Sequence, residues 1–232
     1  VERPESASAL SSGLSDIREG LAYAWHNRTV RILLISIAVV TFLARPYSQF
    51  MPAFARDVFE LGPEGLGIMM TAPAIGTIGA GIALATLGRG SLVRTFLATT
   101  AILASALLAF CITRNVPTAL VCLVIVGACA STSITAVQTL VQQVVDERLR
   151  GRVMAFYAMS ILGTAPLGSL LAGVAADRIG TTLTVQLGGA ACIGGGIVFA
   201  LRLPRIRELV RPIYVRQGIL TVPDLESGVK TL

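Results

Sequence analysis

Charge is what this sequence has least of. Only 14% of its 232 residues are Asp, Glu, Lys or Arg, against roughly 25% in a soluble globular domain. A soluble protein this poor in charge could not cover its own surface, so soluble enzymes and binding domains are excluded. Histidine occurs once, at His26, too little for a histidine-built metal site. The four cysteines, Cys111, Cys122, Cys129 and Cys192, lie in apolar stretches without CxxC spacing. They read as small packing residues, not as a disulfide framework or a zinc site. There is no nucleophile–base pair, and Gly88-Arg-Gly lacks the lysine of a phosphate-binding loop. No enzymatic activity, cofactor or metal is expected.

Long apolar runs are abundant. A helix crosses the hydrocarbon core in about 20 residues. Leu66–Gly88, Thr95–Thr113, Asn115–Val145, Val153–Ala176 and Ile179–Leu201 are each free of charge and long enough. A sixth run, starting at Ile32, is interrupted by Arg45 and continues through Phe54. The expected fold is therefore an all-α polytopic membrane protein with helices over about 31–54, 65–87, 93–113, 117–143, 153–176 and 183–203. Residues 1–12 read as a flexible linker and 13–28 as an amphipathic helix on the membrane surface. The six-helix bundle takes 29–203, and 204–232 form a tail. A chain opening on Val1 in mid-linker is expected to be a fragment or a processed piece.

Basic residues set the orientation. With six spans, both termini share a side with the second and fourth connections. That side carries fifteen of the nineteen Lys and Arg residues, including Arg28, Arg31, Arg89, Arg94, Arg148, Arg150 and Arg152. The other side carries Arg56, Arg114 and Arg178, with Arg45 inside a span. This asymmetry places both termini in the cytoplasm under the positive-inside rule. The net charge of +6 is thus topological, and no nucleic-acid partner is implied.

The second and fifth helices share a pattern. Gly76-Thr-Ile-Gly-Ala-Gly-Ile-Ala-Leu-Ala-Thr-Leu-Gly88 aligns with Gly168-Ser-Leu-Leu-Ala-Gly-Val-Ala-Ala-Asp-Arg-Ile-Gly180, and Pro73 and Pro166 precede them. The two helices cross in opposite directions, as a nested 3+3 inverted repeat requires, an arrangement found in transporters. Shared Gly/Ala-rich composition is the competing explanation. Gly76, Gly81, Gly168 and Gly173 are the expected packing glycines, because small residues let helix backbones approach closely.

Two groups are candidates for a substrate cavity. Arg45 is the ionisable residue inside a span, flanked by Pro46 and Pro52 and followed by Tyr47, Ser48 and Gln49. Its insertion cost of about 2.5–3.5 kcal/mol favours facing protein or water. It either meets substrate at a broken helix or snorkels to the interface. In the fourth helix Ser131, Thr135, Gln138 and Gln142 fall on one stripe. They form either a cavity wall or interhelical hydrogen-bond glue. No acidic residue lies in any span.

The loop Asp146-Glu-Arg-Leu-Arg-Gly-Arg-Val153 resembles the acidic-Arg-x-Arg-Gly-Arg loop of the major facilitator superfamily. Gly173-x-x-x-Asp177-Arg178-x-Gly180 resembles the core of its glycine–aspartate–arginine motif. The opening SDIREGLAYAWHNRTVR and the segment Pro52–Val58 look like the mid-protein linker and seventh helix of the enterobactin-exporter-like, or transmembrane secretion effector, branch. The match covers about residues 14–210. It corresponds to the C-terminal six helices of a twelve-helix transporter. Ala85 and Thr86 stand where the family's Asp-Arg pair would follow helix two, and Thr181 replaces a basic residue.

The resemblance implies a bacterial inner-membrane exporter of small amphipathic molecules, siderophore or drug-like, working by alternating access. Its partners would be a small-molecule substrate, the lipid bilayer, and the missing N-terminal half or a homodimer mate. Arg89, Asp146, Arg148, Arg150, Arg152, Asp177 and Arg178 are the candidate gating-loop residues, plain topology being the other account of the arginines. A truncated, non-transporting membrane module is the alternative function.

Overall fold

The computed structural model describes residues 25–86, 92–145, 147–191 and 194. Everything regular among them is helical. Helix α1 covers Arg28–Ala44 and is followed by a 3-10 turn, Arg45–Gln49, a short α turn, Met51–Ala53, and a π turn, Phe54–Val58. Helices α2 (Pro63–Thr86), α3 (Leu92–Ile112) and α4 (Val116–Val144) come next. Helices α5 (Glu147–Leu162) and α6 (Thr164–Ile179) form one broken span, and α7 runs over 181–191. By length and composition five stretches suffice to cross a membrane: Arg28–Val58, Pro63–Leu84, Leu92–Ile112, Val116–Val144 and Glu147–Ile179. The linker, residues 13–24 of the expected surface helix, the tail, and most of the sixth span beyond 191 lie outside the described residues.

Two expectations need correction. The first span is not a single helix over 31–54. Pro46 has no N–H to return to Phe42, and a proline ring clashes with the carbonyl four residues back. The chain answers by tightening into the 3-10 turn and then widening into the π turn, remaining helical to Val58. The segment expected as a loop around Arg148–Arg152 is the start of α5, which begins at Glu147, not near 153. Charge ended the apolar run there without ending the helix, and Glu147 in the first turn suits the positive end of the helix dipole. Asp177 and Arg178 are likewise helical, in the last turn of α6.

Buried side chains gather at both ends of the bundle. At one end Val30, Leu33 and Ile37 of α1 pack with Phe96 of α3, Val137 and Leu140 of α4, and Val153 and Tyr157 of α5. At the other end Met51, Phe54 and Phe59 pack with Met69 of α2, Phe110 of α3, Leu123 of α4 and Val185 of α7. The Phe54 and Phe110 rings meet tilted, 4.9 Å between centroids. Successive spans therefore alternate in direction, with α1, α3 and α5 starting at the first end. On the outside, Ile75, Ile78 and Ile82 of α2 are each more than 60% exposed. Such an apolar row marks contact with lipid or protein, not water.

Candidate functional site

Helices α2 and α4 cross at a point built from glycine and proline. A Cβ on Gly76 would overlap the Val124 carbonyl oxygen, and one on Gly127 would overlap the Pro73 carbonyl oxygen. Each helix thus presents a glycine to the other's backbone, the close approach that small residues permit. Pro73 lies inside α2 and cannot return a bond to Met69. Thr77 Oγ1 donates to the Pro73 carbonyl at 3.0 Å and reaches the Gly127 carbonyl at 3.3 Å, joining the two helices one turn beyond the proline.

A second crossing pairs α6 with α1. A Cβ on Gly168 would overlap the Phe42 carbonyl oxygen, the group that Pro46 leaves without its i+4 donor. Gly188 of α7 approaches the Leu43 carbonyl in the same way, 2.8 Å from a Cβ placed there. By contrast, a Cβ at Gly81 or Gly173 meets nothing within 4 Å among the described residues. At Gly180 the backbone turns to φ 84°, a left-handed conformation that glycine adopts without steric cost, and this ends α6.

Between these crossings lies a cavity of about 390 Å³. The first span contributes Val40, Thr41, Ala44, Tyr47 and Ser48. Pro73 and Thr77 come from α2, Leu103 from α3, and Gly127, Ala130, Ser131 and Ile134 from α4. Five of these residues carry hydroxyls, and none of the described lining is Asp, Glu, His, Lys or Arg. Ser131 Oγ donates to the Ala128 carbonyl at 3.0 Å. Such a wall offers apolar contact with dispersed hydrogen-bonding groups, suited to non-covalent binding of an amphipathic molecule.

Of the residues singled out from the sequence, Tyr47 and Ser131 line this cavity. Arg45 heads the 3-10 turn beside it, and its side chain lies outside the described residues. Gln49 is exposed. Further along α4, Gln138 is half-buried, whereas Thr135 and Gln142 are exposed, so the polar stripe leaves the cavity beyond Ser131. Thr41 and Thr77 are lining residues that sequence reasoning missed. Thr77 sits beside Gly76 in the repeat segment, which was its one visible signal.

A polar contact off that stripe matters as well. Ser133 is fully buried, and its Oγ lies 2.7 Å from Thr99 Oγ1 of α3.

Arg148, Arg150 and Arg152 project from the first turns of α5. Arg150 lies 3.8 Å from Glu147, whose side chain is 90% exposed, and an exposed pair of this kind contributes little stability. Arg89 and Asp146 lie outside the described residues.

A family model described as "Transmembrane secretion effector" matches residues 4–216. The chain belongs to this family of major facilitator transporters. It is a multi-pass membrane protein. Among characterised relatives, the multidrug efflux pump Tap of Mycolicibacterium fortuitum is 30% identical over 208 residues, covering 89% of this chain and 50% of that protein. Tap of Mycobacterium tuberculosis is 29% identical over 210 residues, covering 89% and 49%. The staphyloferrin A transporter of Staphylococcus aureus is 28% identical over 170 residues, covering 73% and 42%. The chain thus spans about half the length of the curated relatives it matches. The family match takes in every helix that surrounds the cavity.

Proposed function

We propose that this chain is the C-terminal six-helix half of a secondary active exporter of small amphipathic molecules, siderophore or drug-like. It resides in a bacterial inner membrane and works by alternating access. The observation that carries this reading is the hydroxyl-lined cavity where a broken first span, a proline-bearing α2 and α4 converge. Interrupted helices around a central site are the usual construction of a transporter binding site. Tyr47 and Ser131 contact substrate; Arg45, Gln49, Thr135, Gln138 and Gln142 are the further candidates for a polar path that continues outside the cavity.

The glycine contacts support a 3+3 inverted repeat. Gly76 of the second span meets the fourth, and Gly168 of the fifth meets the first. Exchanging the two triplets of helices exchanges these contacts. Cytoplasmic termini are supported by Arg28, Arg31, Arg94, Arg148, Arg150 and Arg152, which share the end of the bundle where α1, α3 and α5 start. There Arg148, Arg150 and Arg152 latch the inner gate.

The exposed apolar rows favour a second element. Ile75, Ile78 and Ile82 on α2, and Leu167, Leu170 and Leu171 on α6, are all more than half exposed. Alone, the chain is a non-transporting module; with a partner half it transports. Dye efflux from cells carrying this chain alone, or with a six-helix N-terminal half, tests this. Efflux is expected only with both halves, and Ser131→Trp at equal membrane expression abolishes it. Undiminished efflux in Ser131→Trp removes the cavity from the pathway.

A further inference from the structure

We propose that the groove between α1 and α5 binds one anionic phospholipid, its phosphate at Arg31 and an acyl chain along Leu34, Ile35, Ala38 and Phe156. The groove encloses about 200 Å³ and is lined by Trp25, Arg31, those four residues and Ser160. It occupies a different face of α1 from the hydroxyl-lined cavity and stands independently of the transport reading.

Its mouth carries the charge. Arg31 is half-buried, its guanidinium carbon 5.7 Å from the centre of the Trp25 ring. Arg31 Nη1 donates to the Trp25 carbonyl at 3.1 Å. These contacts hold the guanidinium in place without neutralising it. Among the described residues no carboxylate pairs with it. A planar guanidinium is matched to the oxygens of a phosphodiester. Asn27 Oδ1 accepts from the N–H groups of Thr29 and Val30, 3.1 and 3.3 Å away, so the α1 N-terminus is already capped and the side chain supplies the charge.

Position selects a lipid over a free anion. Trp25 is 63% exposed and stands where α1 begins, the level at which indoles sit in a membrane interface. From Arg31 the groove follows α1 to Ala38, seven residues and about 10 Å deeper. Its walls there are hydrocarbon apart from Ser160, whose hydroxyl is engaged with the Phe156 carbonyl at 2.8 Å. Ala38 is small, which leaves the depth open. A headgroup alone would leave this lower part unfilled; an acyl chain fills it.

Native mass spectrometry of the purified chain, given phosphatidylglycerol or phosphatidylcholine, tests the site. The expected result is one retained phosphatidylglycerol, with phosphatidylcholine retained at least five-fold less. Arg31→Ala lowers phosphatidylglycerol retention at least five-fold. Arg31→Lys keeps half or more of it, Ala38→Trp loses it by blocking the groove, and Arg114→Ala keeps it. Millimolar inorganic phosphate leaves the bound lipid in place. Equal retention by Arg31→Ala, by Ala38→Trp, or of the two lipids overturns the proposal. Displacement by phosphate overturns it in favour of a simple anion site. Displacement by an added N-terminal half overturns it in favour of a protein-covered face.

Discussion

The phenolic oxygen of Tyr157 donates to the backbone carbonyl of Ile134 at 2.8 Å. Tyr157 is 5% exposed, and Ile134 lines the hydroxyl-rich cavity. The contact ties α5, whose first turns bear the arginines, to the cavity wall on α4. Tyr157→Phe keeps the ring and removes the bond. Thermal unfolding in detergent should show a loss of about 0.5–1.5 kcal/mol, and an unchanged midpoint would deny the tie any energetic role.

The α2–α4 crossing should be intolerant of a single methyl group. Gly76→Ala and Gly127→Ala each push a Cβ into a backbone carbonyl. A cost of about 1–3 kcal/mol follows from overpacking, read as reduced thermal stability and weaker crosslinking between cysteines placed on α2 and α4. Gly81→Ala has open space among the described residues and should be neutral or slightly stabilising, since alanine is the better helix former by about 1 kcal/mol. Equal behaviour of all three would mean the crossing is not this tight.

Ser133 and Thr99 offer a clean test of polar glue in the bundle. Their hydroxyls lie 2.7 Å apart across α3 and α4. A double-mutant cycle with Ser133→Ala and Thr99→Ala should give a coupling near 0.6 kcal/mol and below about 1.7, the range for hydrogen bonds between membrane helices. Strict additivity would assign Ser133 to packing alone.

The cavity predicts opposite outcomes for two substitutions at one residue. Thr77→Phe fills space beside Gly127 and should lower binding of a fluorescent amphipath to the purified chain at least ten-fold. Thr77→Ser keeps the hydroxyl that spans Pro73 and Gly127 and should bind within about two-fold of the unaltered chain, a difference under 0.5 kcal/mol. Comparable titration curves for both variants would place the ligand elsewhere.

Much of the helical layout was legible because lipid imposes one rule on every residue it touches. Runs such as 93–113 and 117–143 differ from α3 and α4 by only a residue or so at each end. The first and fifth spans were harder, for separate reasons. Prolines at 46 and 52 announce a break but not its form, and neighbours on other helices decide between a kink, a 3-10 turn and a π turn. Arg148, Arg150 and Arg152 read as a loop because hydropathy counts charge, whereas a helix can run on past the membrane surface. The Ser131 stripe showed a polar face, yet which of its members meets the cavity depends on how far α4 extends beside α1 and α2.

By itself the sequence determined that the chain is helical, spans a membrane and alternates in direction, since charge-free runs and the placement of arginines act locally and need no partner. The tertiary structure alone decided that Gly76 and Gly127 press against each other's helix while Gly81 and Gly173 meet nothing among the described residues. It alone brought Thr41, Tyr47, Thr77 and Ser131 around one cavity and set Arg31 beside Trp25 at another. Identical glycines differ only in what stands opposite them. That depends on the crossing of two helices, to which no single stretch of chain refers.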